Sequence, residues 1–131
     1  MNGDFYKQSK DKGYTVRQGE LIRAETNTPH NIIYDMLLID SEGDFHAVYA
    51  ATKEKIDAYV AENLTPEGRT ILDTFNIGPV LVAYGEVQDV TQSQVAQYPG
   101  EGLFQWSTPI QRIAIVQTGH LEYAIVFVNG K

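Results

Sequence analysis

Apolar residues along this chain fall in short runs separated by glycine, proline and polar turns. The most conspicuous stretch is residues 71–87, ILDTFNIGPVLVAYGEV. It holds one apolar run, a break at Gly78-Pro79, a second run at Val80, Leu81 and Val82, and a turn at Tyr84-Gly85-Glu86. Gly78 can take backbone angles closed to other residues, and Pro79 fixes the angle after it. The pattern predicts a core strand entered through a sharp corner, with the rest of the chain organised around it.

The flanking segments predict further strands and one clear helix. Tyr14–Arg17 and residues 21–23 read as strands joined through Gln18-Gly19-Glu20. Residues 32–40 and 45–49 form a second predicted hairpin around Ser41-Glu42-Gly43-Asp44. Thr52 caps a predicted helix over residues 53–62, because Ile56, Tyr59 and Val60 share one face while Lys53, Glu54 and Asp57 face water. Asn63 is read as its end, and Thr65-Pro66-Glu67-Gly68 as a brief turn. A short helix is expected near residues 91–97, then a loop with Pro99, Gly100 and Gly102 that carries Phe104 and Trp106. Strands over residues 112–117 and 121–128, joined at Thr118-Gly119-His120, close the chain. Residues 2–13 and 25–31 read as loops. The class is α+β: a mixed, strand-rich sheet with one or two short helices.

Composition narrows the function classes. A length of 131 residues suits one domain, able to bury about two-thirds of its unfolded surface without covalent staples. The absence of cysteine excludes a disulfide scaffold, a thiolate zinc site and a cysteine nucleophile. A net charge of −7, from 17 acidic and 10 basic residues, repels phosphate backbones, so no nucleic acid partner is expected. There is no apolar run near the ~18 residues of a membrane span and no signal peptide, so no membrane span is expected and a soluble chain is. Met1 is followed at once by Asn2-Gly3-Asp4-Phe5-Tyr6, and the chain stops straight after a strong strand pattern. A piece of a larger domain is therefore expected, whose missing sheet neighbours would leave exposed strand edges for a second copy to cover.

Few residues carry a chemical signal. His30, His46 and His120 are far apart and show no metal-ligand spacing, so no metal site is predicted and no cofactor is assigned. Asp40 to Asp44 superficially resembles a calcium loop, but lacks the ligand order of one and reads as a hairpin turn. Asn63-Leu64-Thr65 fits a glycosylation acceptor. Arg112 opens the Ile113-Ala114-Ile115-Val116 strand, where its guanidinium is either a fork for phosphate or carboxylate, or an edge arginine paired with an acid. Asn2 and Asp4, in a glycine turn, either bind a sugar hydroxyl or close the turn. Phe104 and Trp106 either stack on a sugar face or cover the core.

Taken in order, several segments are more specific than any one alone. They are Asn2-Gly3-Asp4-Phe5-Tyr6, Val16-Arg17-Gln18-Gly19-Glu20-Leu21, and Leu38-Ile39-Asp40 with Gly43. After them come Phe75-Asn76-Ile77-Gly78-Pro79-Val80-Leu81-Val82 with Gly85, and Gln111-Arg112-Ile113-Ala114-Ile115 leading to Gln117-Thr118-Gly119. In this order the chain resembles the middle portion of the phosphodiester glycosidase family, which includes many exopolysaccharide-related bacterial proteins. The resemblance implies a hydrolase that cleaves sugar-1-phosphodiesters, for example releasing N-acetylglucosamine. It places Arg112 and Asp4 as catalytic residues, Arg112 against developing negative charge and Asp4 for acid/base work or sugar positioning. Asn2, Gly3, Gly78 and Trp106 become substrate-binding residues, and the partner a glycan or sugar phosphate. A non-catalytic module that binds an anionic glycan or a protein is the alternative. The family setting implies an extracellular or cell-envelope location. Ile113 and Asn129 stand where the family carries threonine and aspartate, and the family's upstream strands and its glycine-rich active-site segment have no counterpart in these residues.

Overall fold

Leu38 is wholly excluded from solvent, and the first part of the chain is built outward from its strand. In a computed structural model, residues 13–24, 33–75, 79–93 and 111–130 are described. The chain divides into two units, Met1–Tyr98 and Pro99–Lys131.

In the first unit, Met36–Asp40 (β3) is the middle strand of a three-stranded antiparallel sheet. Phe45–Val48 (β4) pairs with it on one side, with Leu38 opposite His46, and Ile71–Phe75 (β5) on the other, with Leu38 opposite Thr74. Tyr14–Arg17 (β1) and Glu20–Ala24 (β2) form the first hairpin. Gln18 and Gly19 at its tip both have positive φ, at 51° and 80°. That is the tight two-residue turn whose twist suits a hairpin, and glycine makes it accessible. Val82–Ala83 (β6) and Glu86–Val87 (β7) repeat the device at Tyr84-Gly85, with φ of 53° and 78°.

The first hairpin docks on β5 around Thr74. The buried Thr74 hydroxyl accepts the Val16 N–H at 3.0 Å and donates to the Tyr14 carbonyl at 3.3 Å. Arg17 reinforces the join by donating to the carbonyls of Val16 and Thr74, with its guanidinium carbon 4.8 Å from the centre of the Phe75 ring. A Thr74→Val substitution keeps the shape but strands the Val16 N–H in the core. It is expected to cost about 1–3 kcal/mol in denaturant unfolding, whereas an unchanged midpoint would show that Thr74 only fills space.

The helix Lys53–Tyr59 (α1) starts where the sequence places it, the Thr52 hydroxyl accepting the Lys55 N–H at 3.3 Å. Ile56 is fully buried, and Tyr59 and Val60 pack beside it on the cluster of Tyr14, Val16, Met36, Leu38 and Val48. The helical path does not stop at Asn63. It widens into a π turn over Val60–Leu64, tightens into a 3₁₀ turn at Thr65–Glu67, and ends at Gly68 with φ 70°. The wholly buried Leu64 explains the continuation, since stopping at Asn63 would pull it from the core.

The expectation for residues 71–87 is half met. β5 forms as a strand at one edge of the three-stranded sheet, with Thr74 buried and Leu72 38% exposed, and is bonded to the first hairpin, where the Gly19 N–H reaches the Leu72 carbonyl at 2.8 Å. The second run is not a core strand: Leu81 and Val82 are 47% and 50% exposed, and only Val82 and Ala83 pair as strand. The expected strand over 32–40 is laddered only from Met36, and the helix near 91–97 is represented by one 3₁₀ turn, Val90–Gln92, capped by Asp89. Residues 94–97, the predicted loops at 2–12 and 25–31, and the Phe104–Trp106 loop lie outside the described residues.

The described part of the second unit is a hairpin of Arg112–Gly119 (β8) and Glu122–Val128 (β9). Its turn lies at His120-Leu121, later than Thr118-Gly119-His120, and Leu121 takes the left-handed conformation at φ 57°. The observed architecture is α+β, as expected: several small antiparallel sheets and, among the described residues, a single short α-helix. Among the described residues no helix is long and apolar enough to cross a membrane.

Candidate functional site

The most organised polar chemistry in the described residues grows from the β3–β4 turn. Asp40 ends β3 with its side chain wholly buried. Gly43, at φ 89°, lets the chain fold back so that one carboxylate oxygen, Oδ1, accepts the backbone N–H groups of Glu42 and Asp44, both at 2.9 Å. The other, Oδ2, accepts from His46 Nε2 and from Arg69 Nη1, again at 2.9 Å each. Four donors on one buried carboxylate favour its charged form. Burial alone pushes the Asp40 pKa up, but the bonds from His46, Arg69 and the two amides outweigh it and hold the group below the usual aspartate value.

That ionised carboxylate settles the state of its neighbours. His46 Nε2 must carry a proton to donate to Asp40, so in the neutral ring Nδ1 accepts, and the Tyr59 hydroxyl donates to it at 3.0 Å. The two rings meet edge to face, 5.7 Å apart at 63°. Burial first, then the neighbouring Tyr84 hydroxyl and the Asp40 charge, push the Tyr59 phenol well above the ordinary tyrosine value, so it stays protonated. Arg69 is held by three carboxylates: Asp40 and Asp44, each 2.9 Å from Nη1, and Glu67, 3.0 Å from Nε.

Carboxylate, imidazole and hydroxyl therefore stand in a row, the order used to move a proton through a histidine. Here the hydroxyl is a phenol kept neutral, and both imidazole nitrogens are committed within the fold. The charges of Asp40, Asp44 and Glu67 also exceed that of Arg69, so the cluster repels anions rather than gathering them. Its chemistry is that of a pinned turn and not of a phosphate site. An open depression of about 380 Å³ lies beside it, lined by Arg69 together with Tyr14, Val16, Leu21, Val60 and Ile71, among others. His46 and Tyr59 are not in that lining.

Of the six residues singled out in the sequence, Arg112 alone lies among the described residues. Asn2, Gly3, Asp4, Gly78 and Trp106 fall outside them. Arg112 is exposed at the start of β8, cross-strand from Val128. In the hairpin the one carboxylate among the described residues is Glu122, at the far end, which the register places opposite Gly119. Sequence reasoning passed over the Asp40 cluster because Arg69 sits 29 residues from Asp40. The available signal was a turn with aspartate at both ends and no nearby cation in the sequence. No group of three or more metal-ligating side chains is gathered among the described residues.

No family model, no curated protein and no solved structure matches this chain.

Proposed function

We propose that the chain carries part of a phosphodiester glycosidase-type hydrolase domain, acting on sugar-1-phosphodiesters of the N-acetylglucosamine type outside the cell or at its envelope. The observation that carries the reading is the placement of Arg112. A cation that opens a strand and faces solvent offers a planar pair of N–H donors to a phosphodiester oxygen, which is the role that the ordered motifs assign to it. Asp4 would supply the proton transfer and Asn2, Gly3, Gly78 and Trp106 would seat the sugar. The test is release of free sugar from an N-acetylglucosamine-1-phosphodiester by the purified chain, with and without a divalent metal ion. Release supports the proposal, and its absence from a cooperatively folded sample contradicts it.

One observation favours a second reading, binding of an anionic glycan without turnover. Within the hairpin, Glu122 stands at the opposite end from Arg112, about 20 Å away at the usual rise of a strand. The hairpin's own carboxylate and its arginine thus stand at opposite ends, which suits gripping an anion better than transferring a proton to it. Saturable, salt-sensitive affinity for a sugar phosphate with no product formed would select this reading.

A further inference from the structure

The hairpin of β8 and β9 has two unlike faces. Side chains alternate along a strand, and directly paired residues share a face. The register pairs Ile113 with Phe127, Ile115 with Ile125 and Gln117 with Tyr123, so these six make one face. Arg112, Ala114, Val116, Ala124, Val126 and Val128 make the other, and the alternation puts Glu122 there too. The charged groups of the hairpin thus stand on the second face, and the first carries no ionised side chain.

Both faces are open, with Val126 44% and Val128 54% exposed on the second, but the first carries the larger apolar side chains. Phe127 is 71% exposed, Ile113 61%, Ile125 55% and Tyr123 44%. Side chains of this size leave roughly 500 Å² of mostly apolar surface uncovered, at the upper end of what a monomer ordinarily shows. A two-stranded sheet is also marginal in water until something packs on it.

We infer that this face is a self-association surface, covered by the same face of a second copy of the chain about a two-fold axis. Two considerations select that occupant. Copies that each carry a net charge of −7 repel one another, so they can meet closely only through an uncharged patch, and this face is one. A two-fold contact also supplies its own complement, because each copy brings the same Ile113, Ile125 and Phe127 row. Two such faces hide about 1,000 Å², the lower bound for a biological interface and in keeping with a weak, reversible dimer. The inference holds whether or not the chain hydrolyses a phosphodiester.

Sedimentation velocity of the intact chain, from low to high micromolar concentration, tests this. A reversible dimer is expected. Phe127→Glu places a charge in the interface and should weaken association about tenfold or more, while Val128→Glu on the opposite face should leave it intact. Because the chain has no cysteine, single substitutions give a second readout that does not depend on a charge being tolerated. Ile125→Cys should cross-link readily on mild oxidation and Val126→Cys should not. A wild-type monomer at every concentration would mean the face is covered by the chain itself or awaits a different protein, and would overturn the inference. A dimer indifferent to Phe127→Glu, or equal cross-linking at positions 125 and 126, would overturn it too.

Discussion

Asp40→Ala is expected to destabilise the fold by about 3–5 kcal/mol, the cost of removing one partner from a buried charged network. The side chain accepts from Glu42 N–H, Asp44 N–H, His46 Nε2 and Arg69 Nη1, and none of these donors gains a replacement in the alanine variant. The turn between β3 and β4 loses the group that closes it, and Arg69 is left half-buried with two carboxylates in place of three. Urea unfolding should show a lower midpoint with an unchanged slope. Arg69→Met on its own should cost less than Asp40→Ala, because it leaves Asp40 with three of its donors. A loss below about 1 kcal/mol for Asp40→Ala would mean that water reaches the site and the network is ornamental.

The same group gives a pH dependence with a definite sign. The folded pKa of Asp40 lies below its unfolded value, so folding favours the ionised form. Its contribution is therefore complete above the unfolded value, about pH 4, and is lost as pH falls through the folded value. Wild-type stability should drop on acidification below about pH 4, and the drop should be shallower in Asp40→Asn. Equal acid profiles for the two proteins would remove Asp40 from the account of acid unfolding.

The local elements were readable because they rest on local chemistry. Gln18-Gly19 announces a tight hairpin turn and Tyr84-Gly85 a turn, Thr52 announces the helix, and Ile56, Tyr59 and Val60 announce its buried face. The choice between equally apolar runs was not readable. Val80-Leu81-Val82 looks as buried as Leu37-Leu38-Ile39, but burial is decided by which strands find partners on both sides, and β3 does while β6 pairs only with β7. The end of the helix was misplaced because Asn63 is a plausible local stop, whereas Leu64 next to it is claimed by the core. The Asp40 cluster was invisible for a related reason. Its members come from β3, β4, α1 and the segment before β5, and only the fold brings them together. Arg112 was found by its place at the head of an apolar strand, and it does stand there, exposed.

Arg112→Ala is the functional change with the largest expected effect. If its guanidinium meets the charge that develops on the phosphodiester, removing it should lower kcat/KM about 10²- to 10³-fold, the usual loss for one preorganised donor. Arg112→Lys keeps the charge but loses the fork, and should recover only part of the rate. The exposed position makes little demand on stability, so both variants should unfold as the wild type does.

The most direct measurement is therefore sugar release from an N-acetylglucosamine-1-phosphodiester by the wild-type chain and by Arg112→Ala, beside a neutral glycoside of the same sugar. The account predicts that the wild type cleaves the phosphodiester and spares the neutral glycoside, and that the alanine variant, equally folded, loses nearly all of that cleavage. A folded wild type that releases no sugar from the phosphodiester, or an alanine variant that releases it at the wild-type rate, would contradict it.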